Sequence, residues 1–559
     1  MFSESHILKR ISLHISSICA GILFLLAAII RVALVALGWT PLNSDEAFMD
    51  LAALHIEKLG EHPTFFYGQN YLSALDAYAG SLLFRILEPS VMTARLATII
   101  FTLGFFALLS IITSKLYTRP FALVILGIFC FGSSLVLARQ IEVVGYTELP
   151  MFAAALFLVA YTLASSYHKL SLWKRLALYF LWGLLAGLAI WAHYLTAPYI
   201  LVSGLMILVF CWRDLLKWSI WLILPGCLIG AAPLLYYNLH AAPGQNSLDI
   251  FLTMSQMGSN IHRSLSYHLE ASLLVSLPVS LGYASSCLPG SFAVHLFAGP
   301  HPARCVAVQS VWAGGYLILL AYSLLLALLF FKRAYHLDHS EERHQQMVQQ
   351  FARLMLLCGA IITLFFYIRG NAGIIDPVQG WRYLICTWLS LPAVLWPLWV
   401  CEQWFKKSVL RAAAFAMKWC VLLLVAFALI EGTVQTFQQV VPTQAEEHGV
   451  HQLEQTLLQM HITRFYSEYW TCARSIFDTQ EQLICGNTHN DLTHGFDRYL
   501  PYRSMVEQYP ALNFVYPDGS PQIVTLKQYL ARYHIPYEHF EVSGYAIYKL
   551  SSRIPSLNL

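Results

Sequence analysis

At positions 41 to 50 the chain reads PLNSDEAFMD: an apolar run stops at Pro41, paired acids Asp45 and Glu46 follow at once, and Asp50 comes shortly after. A second charged turn, ARQIEVVGYTELP, carries Arg139, Glu142 and Glu148. A third, IRGNAGIIDPVQGWRYL, carries Arg369, Asp376 and Arg382. A carboxylate within hydrogen-bond reach of a hydroxyl takes its proton as a new bond forms. A guanidinium fork matches the paired oxygens of a phosphate. The plainer reading of the first stretch is that Asp45 caps the helix that follows it, with Ser44 or Asn43 as the alternative cap.

The elements that must position these groups are membrane helices. Hydrophobic residues make up 57% of the 559 and charged residues 12%, about half the usual charged share of a soluble domain. A net charge of +3 is too small to suggest a nucleic-acid partner. The run from about Ile11 to Leu37 is too long for a signal-peptide core and has no small-residue cleavage site before the polar mouth. Further spans are expected near 93–114, 120–138, 148–165, 176–193, 197–211, 218–237, 308–331, 351–368, 382–400 and 412–431. The chain therefore reads as an all-α polytopic membrane protein of about 11 transmembrane helices. Arg31, inside the first span, needs an internal partner or must snorkel, and a structural salt bridge is its expected role.

Cations set the orientation. Lys9 and Arg10 precede the first span, and Lys115 and Arg119, Lys169 with Lys174 and Arg175, and Arg213 with Lys217 fall in every second connection. Lys332, Arg333 and Arg343, then Lys406, Lys407 and Arg411, keep the alternation. The N-terminus is expected in the cytoplasm, and the charged turns and the C-terminal tail outside a multi-pass plasma-membrane protein. Two cysteine pairs on that side, Cys287 with Cys305 and Cys472 with Cys485, suit disulfides, with four unrelated buried thiols as the alternative. No Cys/His spacing indicates a metal site.

Four parts are expected: a transmembrane module over 1–237 with a catalytic outward loop at 38–92, an outward loop at 238–307, further transmembrane helices over 308–440, and a soluble α+β domain over 441–559. Within the first loop, DEAFMDLAALHIEKLG and YLSALDAYAGSLLFRIL read as two helices lying along the membrane surface. In the tail, HQLEQTLLQM and LKQYLARY read as helices and VSGYAIYKL as a closing strand. Its aromatic patch RFYSEYW could stack on sugars.

A first span ending in DEA, a loop carrying YGQNY, a helix ending FRILEPS and a span opening TARLATIIF together resemble the GT-C membrane glycosyltransferases. GLLAGLAIWAHYLTAP and GWRYLICTWLSLP, later in the chain, are similar to the same class. Its nearest members by this likeness are protein O-mannosyltransferases and bacterial aminoarabinose transferases. The resemblance covers roughly residues 1–400. It implies inverting transfer of a sugar from a polyprenyl-phosphate donor to a lipid, glycan or protein acceptor on the outer side of the membrane. In that class the first-loop aspartate is the general base, which matches Asp45 beside Glu46. The second-loop acid matches Glu148, with Glu142 as the other candidate.

The departing lipid phosphate is already a stable anion and needs cations rather than an acid. Arg382 is the first choice for that role, followed by Arg369 and Arg139. Where lipid-modifying relatives carry a lysine followed by prolines, this chain has Gln69 and Asn70, so Gln69 contacts the sugar or shapes the turn. Tyr67 and Tyr71 are candidate sugar stackers, with interfacial anchoring as the alternative. His193 reads as a packed histidine or a sugar or acceptor contact. Mg²⁺ or Mn²⁺ bridging Asp45 to the phosphate fits oxygen ligands. A competing reading is a transporter or flippase of a lipid-linked glycan, but acids gathered at one surface and the lack of an internal repeat count against it.

Overall fold

The computed structural model describes residues 2–167, 169–214, 216–255, 264–283 and 303–551. Among these, eight helices are long and apolar enough to cross a membrane: His14–Ala36, Val91–Leu116, Glu148–Ser166, Leu172–Ala192, Val306–Tyr335, Ser340–Arg369, Gly380–Trp404 and the apolar part of Ser408–Gln459. The segment expected at 218–237 is a pair, Trp218–Gly230 and Ala232–His240, bent by 62°. Those expected at 120–138 and 197–211 are shorter apolar helices, Arg119–Cys130 and Tyr194–Phe210. Cys287 lies outside the described residues, and with it the pairing expected with Cys305.

Contacts divide the chain into two compact units: residues 1–32, 99–141 and 145–437, and residues 33–98, 142–144 and 438–559.

The larger unit is a helical bundle. Its tightest seam joins Leu172–Ala192 to Ile223–Gly230, where Gly183 and Gly187 on one helix meet Gly226 and Gly230 on the other. A Cβ at any of the four would run into the facing backbone. Both helices thus present a small-xxx-small stripe, the spacing that lets helix backbones approach in lipid.

The expected span at 120–138 is broken. Arg119–Cys130 ends before Gly132, and a short helix, Ser134–Arg139, follows with Ser133 as its cap. The break leaves the carbonyls of Phe129 and Cys130 available, and Arg31 takes both, at 2.8 and 3.1 Å. The same guanidinium donates to Ala27 O at 2.8 Å and to Gln140 Oε1 at 2.5 and 3.1 Å, with the Phe106 ring 4.9 Å away. Arg31 is fully buried. Its role is structural, as expected, but its partners are carbonyls and an amide rather than a carboxylate.

The smaller unit holds a mixed five-stranded sheet. Chain order gives a hairpin, β1 (Phe65–Phe66) and β2 (Gln69–Ser73), then β3 (Arg464–Ser467), β4 (Ile484–Asn487), β5 (Leu512–Pro517), β6 (Tyr537–Val542) and β7 (Tyr545–Leu550). The sheet runs β4-β3-β5-β7-β6, with β3 parallel to β4 and β5, and β7 antiparallel to β5 and β6. The expected tail helices lie in Val440–Gln459 and Pro521–Tyr533, and the closing strand is β7. A disulfide ties Cys472, on the Tyr469–Asp478 helix, to Cys485 on β4.

Ser44–Lys58 belongs to this unit and is not a surface helix. Twelve of its residues are buried, and it packs against Leu75–Phe84 and Tyr469–Asp478. The wide apolar coverage of FMDLAALHI, broken only by Asp50 and His55, explains the burial.

Candidate active site

Asn43 caps the Ser44–Lys58 helix, its side-chain oxygen accepting from Glu46 N at 3.0 Å. Ser44 donates to the Tyr469 carbonyl at 2.7 Å. The capping role is therefore Asn43's, the alternative cap, rather than Asp45's. Of residues 44 to 56, Asp45 alone is not buried.

One oxygen of Asp45 is fixed by the C-terminal part of the chain. Oδ1 accepts from the Tyr469 hydroxyl at 2.6 Å and from Arg498 Nη2 at 2.8 Å. Arg498 Nε donates to the Tyr469 hydroxyl at 2.5 Å, and Nη1 to the Tyr67 carbonyl at 3.1 Å. The guanidinium lies over Phe66 and Phe496, at 4.5 and 5.2 Å from the ring centroids. Burial and the Asp45 charge push the Tyr469 phenol up, so it remains a donor. Gly68 makes this approach fit: its φ is +71° and a Cβ there would sit 3.0 Å from Phe496.

Glu46 faces the opposite way, into the core. Its two oxygens accept from Arg95 Nε and Nη2, both at 2.7 Å, in a bidentate pair that is 0% and 2% exposed. Oε1 also accepts from Val143 N at 3.2 Å. Arg95 donates to Thr40 O at 2.9 Å, and the Thr40 hydroxyl to Glu142 at 3.2 Å. These bonds commit Glu46 to holding Thr40 and residues 142–143 around the helix start, so its geometry suits positioning rather than proton transfer.

Asp50 is fully buried with no hydrogen-bond partner for either oxygen. Burial, followed by the Glu46 charge, raises it well above the usual carboxylate range, against the pull of Arg95.

Tyr67 is engaged within the same unit. Its hydroxyl donates to Glu61 at 2.6 Å and lies 2.9 Å from His55 Nδ1, and its ring centroid is 4.9 Å from that of Tyr499. Buried His55 also reaches the Tyr502 hydroxyl at 3.0 Å and Glu481 at 3.3 Å. Gln69 opens β2, and Tyr71 lies buried in the same strand.

In the larger unit a second cluster forms. The guanidiniums of Arg382 and Arg139 lie 5.6 and 5.9 Å from the Tyr146 ring. Arg382 also lies 5.3 Å from Tyr383, and Arg139 is 3.5 Å from the Gln379 amide oxygen. His193 packs 5.8 Å from Tyr146, and its Nδ1 accepts from Leu195 N at 3.1 Å. Glu148 opens the Glu148–Ser166 helix and is fully buried. Arg382 is held at this point because GWRYLICTWLS runs as a tight 3-10 helix, Gly380–Ser390, ahead of Pro392. Arg369 does not join the cluster. It is exposed at the end of Ser340–Arg369.

Sequence reasoning missed Arg95, Tyr146, Tyr383, Tyr469 and Arg498. Arg95 stood in view in TARLATIIF, and Tyr469 belongs to RFYSEYW. Arg498 has no local signal, being 453 residues from its partner.

No family model matches the chain, and no curated protein does. Among solved structures it is similar to ArnT from Cupriavidus metallidurans bound to undecaprenyl phosphate, with TM-score 0.56 and 12% identity over 94% of this chain and 97% of that one. It also matches the archaeal oligosaccharyltransferase AglB from Archaeoglobus fulgidus, in complex with an inhibitory peptide and a dolichol-phosphate, at TM-score 0.45 and 13% identity, over 97% and 74%. The chain shares the ArnT fold, and with it the GT-C membrane architecture expected from its sequence.

Proposed function

We propose that this protein is a membrane glycosyltransferase. It moves a hexosyl or pentosyl unit from a polyprenyl-phosphate carrier to a hydroxyl of a lipid, glycan or protein acceptor, on the extracytoplasmic face of the plasma membrane. The observation that carries the reading is the Asp45 carboxylate, the one accessible group at the start of an otherwise buried helix, held by Tyr469 and Arg498. The ArnT fold, in a structure bound to undecaprenyl phosphate, supports a lipid-phosphate substrate.

In this reaction the acceptor oxygen attacks the anomeric carbon from the face opposite the phosphate, and inversion follows. The acceptor O–H breaks and its proton passes to Asp45. The bond from the sugar to the phosphate breaks with its electron pair remaining on the phosphate. Arg382 and Arg139, which share the Tyr146 ring, hold that anion through charge-assisted hydrogen bonds. Arg369 stands outside that cluster and is given no part. Glu148 is assigned as a second acid, and Gln69, Tyr71 and His193 as contacts to sugar or acceptor. Tyr67 acts through its backbone carbonyl on Arg498, since its hydroxyl is committed to Glu61.

The test is a proteoliposome assay with a polyprenyl-phosphate sugar and an acceptor extract. Covalent transfer of labelled sugar supports the reading. Movement of the lipid-linked donor across the bilayer without covalent product would favour a flippase instead.

A further inference from the structure

A second constellation lies in the smaller unit. The Val440–Gln459 and Tyr469–Asp478 helices bring His451, Glu454 and Asp478 together, with one donor atom from each within 4.8 Å of the others. His451 and Glu454 share a helix face by their three-residue spacing, and His451 Nδ1 is 3.1 Å from Glu454 Oε2. The Glu454 side chain is only 5% exposed. Its other oxygen, Oε1, is shut off from solvent with no hydrogen-bond partner, and so is Asp478 Oδ2. An unsatisfied buried acceptor costs about 1–3 kcal/mol, and more when charged. Nearby Arg474 pairs with Glu447 at 2.5 Å and Glu446 at 3.6 Å; its charge acts on both carboxylates, but it hydrogen-bonds neither orphaned oxygen. Two carboxylates thus face each other beside an imidazole, each with an orphaned buried oxygen.

We propose that His451, Glu454 and Asp478 bind a divalent ion of the Zn²⁺ class. One imidazole with two carboxylates suits Zn²⁺, whereas Mg²⁺ and Ca²⁺ favour oxygen-only shells. Ligands at about 2.0–2.2 Å in a tetrahedron stand roughly 3.3 Å apart. The His451–Glu454 edge, at 3.1 Å, is close to that length, and a donor atom of Asp478 lies within 4.8 Å of both. The His451 side chain is 54% exposed, which gives the ion an entry path and leaves the fourth position to solvent. The bound ion would cross-link Val440–Gln459 to the helix whose first residue, Tyr469, donates to Asp45.

The test uses full-length, tag-free protein in detergent, dialysed against chelator and then equilibrated with Zn²⁺ alone. Metal content and thermal unfolding are both read. Wild type is expected to take one Zn²⁺ per chain and to unfold at higher temperature when loaded. Glu454→Gln and Asp478→Asn are expected to cut metal content at least tenfold and to abolish the shift. His451→Ala, at an exposed position that keeps the fold, should weaken uptake. Asp45→Asn should leave uptake unchanged, which separates this site from any ion at the proposed catalytic acid. Wild type that takes no more Zn²⁺ than Asp478→Asn would overturn the proposal. So would a metal-free Glu454→Gln variant more stable than wild type with no Zn²⁺ response in either, the signature of two carboxyls sharing a proton. Uptake of Mg²⁺ in preference to Zn²⁺ would also overturn it.

Discussion

Asp45 and Glu46 are neighbours in sequence with opposite environments. Glu46 is sealed in a bidentate pair with Arg95, and breaking a buried pair by removing one partner costs about 3–5 kcal/mol. Arg95→Met is therefore expected to reduce the amount of folded protein sharply and to lower its unfolding temperature, whereas Asp45→Asn should leave both near wild type. Asp50 gives a pH signature. Its folded pKa lies above the unfolded value near 3.8, so the native state binds the extra proton and stability falls as pH rises above that value. The loss proceeds at up to about 1.4 kcal/mol per pH unit until the folded pKa is reached. Asp50→Asn should unfold at higher temperature than wild type at pH 8, with the gap closing toward pH 4. An equal gap at both pH values would refute this assignment. The DE pair was legible because acids directly after an apolar run demand an explanation. Arg95 was not, because a cation at the start of a span looks like ordinary snorkelling.

At the scale of elements, hydropathy located the membrane helices but could not see where one breaks. FCFGSS lies inside a run whose composition still reads as continuous, and only the buried Arg31 guanidinium shows that Phe129 and Cys130 must release their carbonyls. The loop helix at 44–58 is expected from its sequence to lie along the membrane surface, as one of two helices in a loop between spans. Instead Asp45, Glu46, Asp50 and His55 each face protein partners or a buried environment. The glycine stripes GLLAG and GCLIG were visible as letters, but their meaning depends on their facing each other. Gly187→Val places side-chain atoms where the Ile223–Gly230 backbone runs. It is expected to lower the yield and unfolding temperature of detergent-solubilised protein strongly, while Gly127→Val, with open space around its Cβ, should not. Equal effects at the two positions would argue against the seam.

For the whole molecule, the layout of spans and loops carried the resemblance to GT-C enzymes, and the ArnT likeness at 12% identity is a likeness of fold. The tail was legible as α+β from its alternation, but its reach to Asp45 was not, since contacts across 424 and 453 residues leave no local pattern. Arg498→Ala should lower kcat while leaving donor KM nearly unchanged, and Arg498→Lys should recover little because a lysine cannot reproduce the fork that binds Tyr469, Tyr67 and Asp45 together. Arg382→Ala is expected to lower kcat/KM for the donor by about 10²-fold or more, as loss of one preorganised donor to a developing anion does. The most direct measurement is transfer of labelled sugar from a polyprenyl-phosphate donor by purified wild-type and Asp45→Asn protein of matched unfolding temperature. The account expects covalent product from the wild type and a loss of about 10²–10⁴-fold in the variant. An Asp45→Asn protein that transfers sugar at the wild-type rate would contradict it.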